Sequence, residues 1–143
     1  MEPSHVLVPL DGSPLADDAL AHALATFDCP VTVLNVVTPL DSPMSEGGII
    51  GVDESREDAA HDRAENLVAD AKRRVEGAGQ RVDTAVEAGD PAETILAYVD
   101  AHEVDHVVMG GHGGDRNALS RRLLGTVAST VVGDSPVPVT VIK

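Results

Sequence analysis

Tryptophan is absent from this chain, and phenylalanine, tyrosine and cysteine occur once each, as Phe27, Tyr98 and Cys29. The apolar mass therefore comes almost wholly from Val, Ala, Leu and Ile. A lone cysteine excludes an intrachain disulfide and agrees with a reduced, cytoplasmic protein. No apolar run approaches the roughly 18 residues of a membrane span, so no membrane association is expected. A strand pattern begins within a few residues of Met1, with no basic-then-apolar leader before it. Lysine appears only as Lys72 and Lys143. With no basic stripe to neutralise phosphates, nucleic-acid binding is disfavoured. The histidines lack metal-ligand spacing with a third ligand, so no zinc site is expected.

Acid is what the chain has in excess: 24 Asp and Glu against 10 Lys and Arg, a formal net charge of −14. The charge is spread along the chain and reads as a solvated surface, not a tail. We expect a halophilic protein, adapted to a high-salt cytoplasm in which screening suppresses self-repulsion.

Strand and helix patterns alternate throughout, which bounds one domain, residues 1–143. His5 to Leu10 reads as a first strand. Ser13-Pro14 is an N-cap followed by a first-turn proline, and opens a helix with apolar Ala16, Ala19, Leu20, Ala23, Leu24 and Phe27 on one stripe. Val31 to Val37 is a second strand. Thr38 to Glu54, with two prolines and Gly47-Gly48, reads as a long loop. A second helix is expected from about Ser55 to Glu76, stopped by Gly77 or Gly79. It faces inward through Ala60, Ala64, Leu67, Val68, Ala71 and Val75. Arg81 to Ala88 alternates like an edge strand. Asp90-Pro91-Ala92-Glu93 starts a third helix that buries Ile95, Leu96 and Val99. His106 to Met109, Leu124 to Val132 and Val137 to Ile142 complete the pattern as strand, helix and strand. The expected fold is α/β: a single doubly wound, Rossmann-like parallel sheet of order 3-2-1-4-5 with helices on both faces. Ligands of such sheets bind where the strand order reverses, here between strands 1 and 4.

That crevice is where the most informative residues fall. The fourth strand ends on Gly110, with Gly113 following, and glycines there let backbone approach a ligand or turn tightly. Gly125-Thr126 then opens a helix whose unpaired N–H groups and positive dipole end suit a phosphate chain. Gly110 and Gly113 read either as ligand-approach glycines or simply as turn glycines. Asp11, at the end of strand 1, reads either as a ligand group or as a cap on the first helix. Ser13 reads as that cap, and His112 as a loop-orienting residue. Arg121 and Arg122 suit a solvated helix face. There is no G-x4-G-K-[ST] loop and no general base with a partner, so catalytic residues are not expected.

Six segments together resemble the universal stress protein family in its nucleotide-binding branch, over essentially the whole chain. They are Val-Pro-Leu-Asp-Gly-Ser (8–13), Asn-Val-Val (35–37), Ala-Gly-Asp-Pro (88–91), Met-Gly-Gly-His-Gly (109–113), Leu-Leu-Gly-Thr-Val-Ala (123–128) and Pro-Val-Pro-Val (136–139). The resemblance implies an adenine-nucleotide α-hydrolase-like fold and bound ATP, ADP or AMP, with Mg2+ or Mn2+ carried through the phosphates. It implies that Gly110, Gly113 and Gly125 give backbone approach beside Met109. The N–H groups of Thr126, Val127 and Ala128 and the Thr126 hydroxyl would face phosphate oxygens. Asp11 would bond the ribose or lie near the metal, and Pro9, Leu10 and Val36 would line the adenine pocket. In the family pattern nine residues separate the second and third glycines of the motif. Gly114 to Leu124 is two residues longer.

The resemblance further implies a homodimer through strand 137–142, an unidentified regulatory protein partner and a role in stress response. A scaffold of the same fold without nucleotide, and a slow ATPase, stand as alternatives. The two-residue expansion favours the scaffold. A receiver-type phosphotransfer domain is set aside, because no acidic cluster surrounds Asp11.

Overall fold

Short unbroken runs of β-branched and leucine residues make strands that are buried on both faces. In β1 (Val6–Pro9), β2 (Val31–Val37) and β4 (His106–Gly110), the side chains of Val6, Leu7, Val8, Val31, Val33, Leu34, Val107 and Val108 have no exposure at all. Each such burial contributes on the order of 1.5–3 kcal/mol. The structure is a computed structural model and describes residues 3–38, 50–75, 81–111 and 125–143, with side chains from residue 59 onward in the second stretch. The expectations for Gly113, for His112, Arg121 and Arg122, and for the stop at Gly77 or Gly79 fall on residues outside these ranges.

The sheet is parallel and ordered β3-β2-β1-β4-β5, as expected, with β3 (Val82–Ala88) and β5 (Val139–Ile142) as its edges. Alternate residues of each strand serve opposite cores. Val6 and Val8 pack under α1 (Pro14–Thr26) and α2 (Ile50–Val75), in a cluster with Ala16, Ala19, Leu20, Ala23, Val68 and Ala71. Leu7 and Leu34 pack under α3 (Pro91–Ala101) and α4 (Thr126–Asp134), with Ile95, Val99, Ala128 and Val131.

Three elements differ from the sequence reading by more than a residue at one end or both. α2 begins at Ile50, so the last part of the expected Thr38–Glu54 loop is helical. α4 begins at Thr126 and runs through Gly133 to Asp134, where a Cβ on Gly133 would meet nothing. β5 begins at Val139 instead of Val137. Ser135 explains the late start of β5: its Oγ accepts from the Val137 N–H at 3.1 Å and donates to the Val137 carbonyl at 2.8 Å. That backbone is satisfied locally and leaves the ladder.

One feature of the register positions the site. β1 pairs with β4 only through Val6↔His106 and Leu7↔Val107, while it follows β2 as far as Pro9↔Leu34. β4 meanwhile continues along β5 to Gly110↔Ile142. The two central strands therefore part after Leu7 and Val107. From there the chain leaves β1 into α1 on one face and passes from β4 towards α4 on the other.

Candidate functional site

A cavity of about 580 Å³ opens where β1 and β4 separate. That volume lies within the roughly 300–1,000 Å³ usual for small-molecule sites. Its floor is made by the strand ends: Pro9, Leu10 and Asp11 after β1, Leu34 to Thr38 at the end of β2, and Met109 and Gly110 on β4. Gly125, Thr126, Val127 and Ala128 close one side, and Ala60, Arg63, Ala64 and Leu67 of α2 close the other. Of the site residues expected from sequence, all those among the described residues line this one cavity.

The helix starts around it are built differently. Ser13 caps α1, its Oγ accepting from the Ala16 N–H at 3.3 Å, with Pro14 in the first turn. Asp90 caps α3 by accepting from the Glu93 N–H at 3.0 Å, with Pro91 following. α4 has Gly125 at its N-cap and no side-chain cap bond. Its first intrahelical bond runs from the Ser129 N–H to the Gly125 carbonyl at 2.9 Å. The N–H groups of Thr126, Val127 and Ala128 precede that bond and have no partner within the helix. All three residues line the cavity. The dipole end and these donors, which have no partner within the helix, make this wall attractive to an anion.

Two hydrogen bonds anchor that wall. The Gly111 N–H donates to the Ile142 carbonyl at 2.8 Å, and the Gly125 N–H donates to the Gly111 carbonyl at 2.6 Å. The exit of β4 and the start of α4 are thus joined directly. It follows that Gly125 spends its own N–H on the protein.

Gly110 is required for a reason that sequence reading missed. A Cβ there would lie 2.9 Å from the Leu15 Cβ, 3.2 Å from the Leu15 carbonyl carbon and 3.3 Å from the Ala16 nitrogen. Its missing side chain makes room for the first turn of α1.

On the opposite strand end, the Leu10 N–H donates to the Leu34 carbonyl at 2.8 Å, and the Asn35 Nδ2 donates to the Leu10 carbonyl at 2.6 Å. Asn35 therefore holds the turn that presents Asp11. The exposed Asp11 carboxylate accepts from the Ser13 N–H at 2.9 Å, which orients it without making it the helix cap. Asn35 was legible as the one polar residue inside Val-Leu-Asn-Val-Val. Arg63, Ala64 and Leu67 had no local signal, because α2 reaches the cavity only through tertiary packing.

Titratable groups pushed from their ordinary values lie at the other end of the sheet. Two hydrogen bonds from Ser4 hold the Asp105 carboxyl low. Burial, reinforced by the nearby His22, lowers His106, whose Nε2 meets Thr140 Oγ1 at 2.8 Å. Burial, with Glu87 nearby, raises the Tyr98 phenol. Among the described residues, no group of His, Cys, Asp and Glu side chains could by itself hold a metal ion. No helix among them is long and apolar enough to cross a membrane.

Comparison with known proteins agrees with this architecture. A model of the universal stress protein family matches residues 3–143. Universal stress protein MJ0531 of Methanocaldococcus jannaschii is 29% identical over 143 residues, covering 96% of this chain and 81% of that protein. The structure of universal stress protein UspA from Lactobacillus plantarum superposes with a TM-score of 0.86 at 26% identity, over 100% of this chain and 99% of the other. A universal stress protein family protein from Arabidopsis thaliana, solved with AMP bound, has a TM-score of 0.65 at 20% identity, over 99% of this chain and 92% of the other. The chain belongs to the universal stress protein family.

Proposed function

We propose that this chain binds an adenine nucleotide (ATP, ADP or AMP) in the cavity between β1 and β4 and serves as a regulatory module in stress response. The observation that carries the reading is the uncapped start of α4, where three main-chain donors line a cavity of ligand size. In this reading the Thr126, Val127 and Ala128 amides and the Thr126 hydroxyl hold phosphate oxygens. Gly110 and Gly125 keep the strand exit and helix start close beneath them, and the family resemblance gives Gly113, outside the described residues, a share in the same role. Pro9, Leu10, Val36 and Met109 give the apolar surface for the base, and Asp11 takes the ribose or the metal side. The relative from Arabidopsis thaliana, which holds AMP on the same fold, supports the ligand class.

Asp11 is the one acidic side chain among the described residues of the cavity wall. A Mg2+ or Mn2+ ion fits there as a companion of the phosphates, since Mg2+ is commonly held by one or two carboxylates plus substrate phosphates. It would neutralise charge between a polyanion and an acidic protein. We assign no catalytic residue; turnover, if present, is slow hydrolysis. The acidic surface is read as adaptation to a salty cytoplasm, and β5 as the edge through which two copies pair. Each copy would then signal to a regulatory protein partner.

Paired variants test the main-chain donors. Gly125 sits at φ −67°, ψ 169°, an extended conformation that tolerates a following proline. Proline at the first helical position is compatible with the helix but has no N–H. Thr126→Ala removes the hydroxyl, and Thr126→Pro removes the hydroxyl and one amide. Isothermal titration with Mg-ATP in molar KCl should show saturable binding by the parent chain. Binding should be weaker in Thr126→Ala and weaker again, by about tenfold, in Thr126→Pro, as expected for a charge-assisted hydrogen bond. No saturable binding of millimolar nucleotide by the parent chain would end this reading and favour the scaffold.

A further inference from the structure

Arg63 is the only basic side chain among the described residues that line the cavity. It stands on the α2 face formed by Ala60, Ala64 and Leu67. Ala60 and Ala64 are buried, and the Leu67 Cδ1 lies 3.2 Å from where a Cβ on Gly12 would be. These neighbours fix the helix against the β1–α1 turn, so the exposed guanidinium starts from the cavity rim.

Its company is unusual for this chain. Acids outnumber bases 24 to 10, and the other arginines with described side chains are all ion-paired: Arg73 with Asp70, Arg74 with Asp17 and Arg81 with Asp83. Arg63 has no ion pair among the described residues. Its own helix provides none, because the positions three and four residues away are Ala59, Ala60, Asn66 and Leu67. Residues at those spacings are the ones a helical side chain meets. The guanidinium keeps five donors in a planar fork that matches phosphate oxygens. α2 and α4 cover opposite faces of the sheet, so this cation and the first-turn amides of α4 flank the cavity from its two sides.

We propose that Arg63 is a specificity-determining residue that contacts the ligand's phosphates from the wall opposite α4, so that affinity rises with the ligand's negative charge. The inference rests on the nucleotide reading and adds to it a side-chain contact that discriminates by phosphate. The full chain and its Arg63→Gln, Arg63→Lys and Arg73→Gln variants are titrated with adenosine, AMP and ATP at one fixed KCl concentration. Arg63→Gln should weaken ATP by about tenfold, which is about 1.4 kcal/mol. It should weaken AMP less and leave adenosine within about twofold, a change near the size of ordinary non-specific surface effects. Arg63→Lys should fall between parent and Arg63→Gln. Arg73→Gln, with the same change in net charge, should match the parent for every ligand. Equal weakening of adenosine and ATP would mean that Arg63 acts through helix packing and would overturn the proposal. An unchanged ATP affinity in Arg63→Gln would overturn it too, while leaving the nucleotide reading intact. A parent chain that binds none of the three would remove both.

Discussion

Adding one methyl group at Gly110 separates two reasons for a glycine at this position. The Cβ of alanine would sit 2.9 Å from the Leu15 Cβ, with Leu15 and Ala16 backbone atoms at 3.2 and 3.3 Å. Ordinary carbon–carbon contact is about 3.5–4.0 Å, so α1 must retreat by roughly half an ångström or more. The obstacle is the first turn of a helix that is capped by Ser13 and buried through Ala16 and Ala19, not the end of a flexible side chain. Overpacking of this kind costs about 1–3 kcal/mol. For a domain of this length each kcal/mol lowers Tm by about 2–4 °C, so Gly110→Ala should melt about 2–12 °C below the parent. Calorimetric melts measure the loss. Nucleotide titration well below the transition should show affinity changed by less than about threefold, since the methyl group points into the α1 contact. Unchanged melting together with abolished binding would refute this account and return Gly110 to the role of ligand approach.

The remaining expectations concern pH, assembly and salt. Burial holds the folded His106 below its unfolded value, which is about 6.5, so the neutral ring is the folded form. Its stabilising contribution is complete above that unfolded value and is lost as pH falls from about 6.5 towards the depressed folded value. Tm should decline between pH 7.5 and 5.5, and His106→Gln should decline less over the same window; equal slopes would remove His106 as the cause. If β5 pairs across a two-fold axis, light scattering gives twice the chain mass, and a monomer mass contradicts it. Unfolding followed against KCl should show stability rising with salt, whereas a flat or falling profile would argue against adaptation to salt.

Most of the architecture was legible because its signals are local. The unbroken apolar runs of β1, β2 and β4, the Ser13-Pro14 start and the Asp90-Pro91-Ala92-Glu93 start need no tertiary information, and each appears within a residue of where expected. Misplaced boundaries have specific causes. Gly51 and the β-branched Ile50 and Val52 are poor intrinsic helix formers, which hid the beginning of α2. The last helix was expected to end at Val132, just before Gly133, yet Gly133 sits in the final turn of α4 with space around it, and Ser135 takes the C-cap. Val137 resembles a strand residue until Ser135 takes up its backbone groups. At the site, strand ends and helix starts were readable from glycines and turn residues. The α2 wall was not, because Arg63 reaches the cavity only when a helix distant in sequence docks across β2 and β3. Gly110 shows a subtler limit: its identity was informative, but the atoms that demand it belong to α1.

The bond from Gly125 to Gly111 has a consequence for how such a chain can change over time. Both ends of the 112–124 stretch are pinned to one point of the framework, so its contour length is decoupled from the geometry on either side. Closing a segment two residues longer than the family spacing costs only about 0.2 kcal/mol of chain entropy. By this estimate a change of length there costs the fold little stability. The same junction offers protein engineers a splice point for a reporter peptide next to the cavity, with the sheet left untouched.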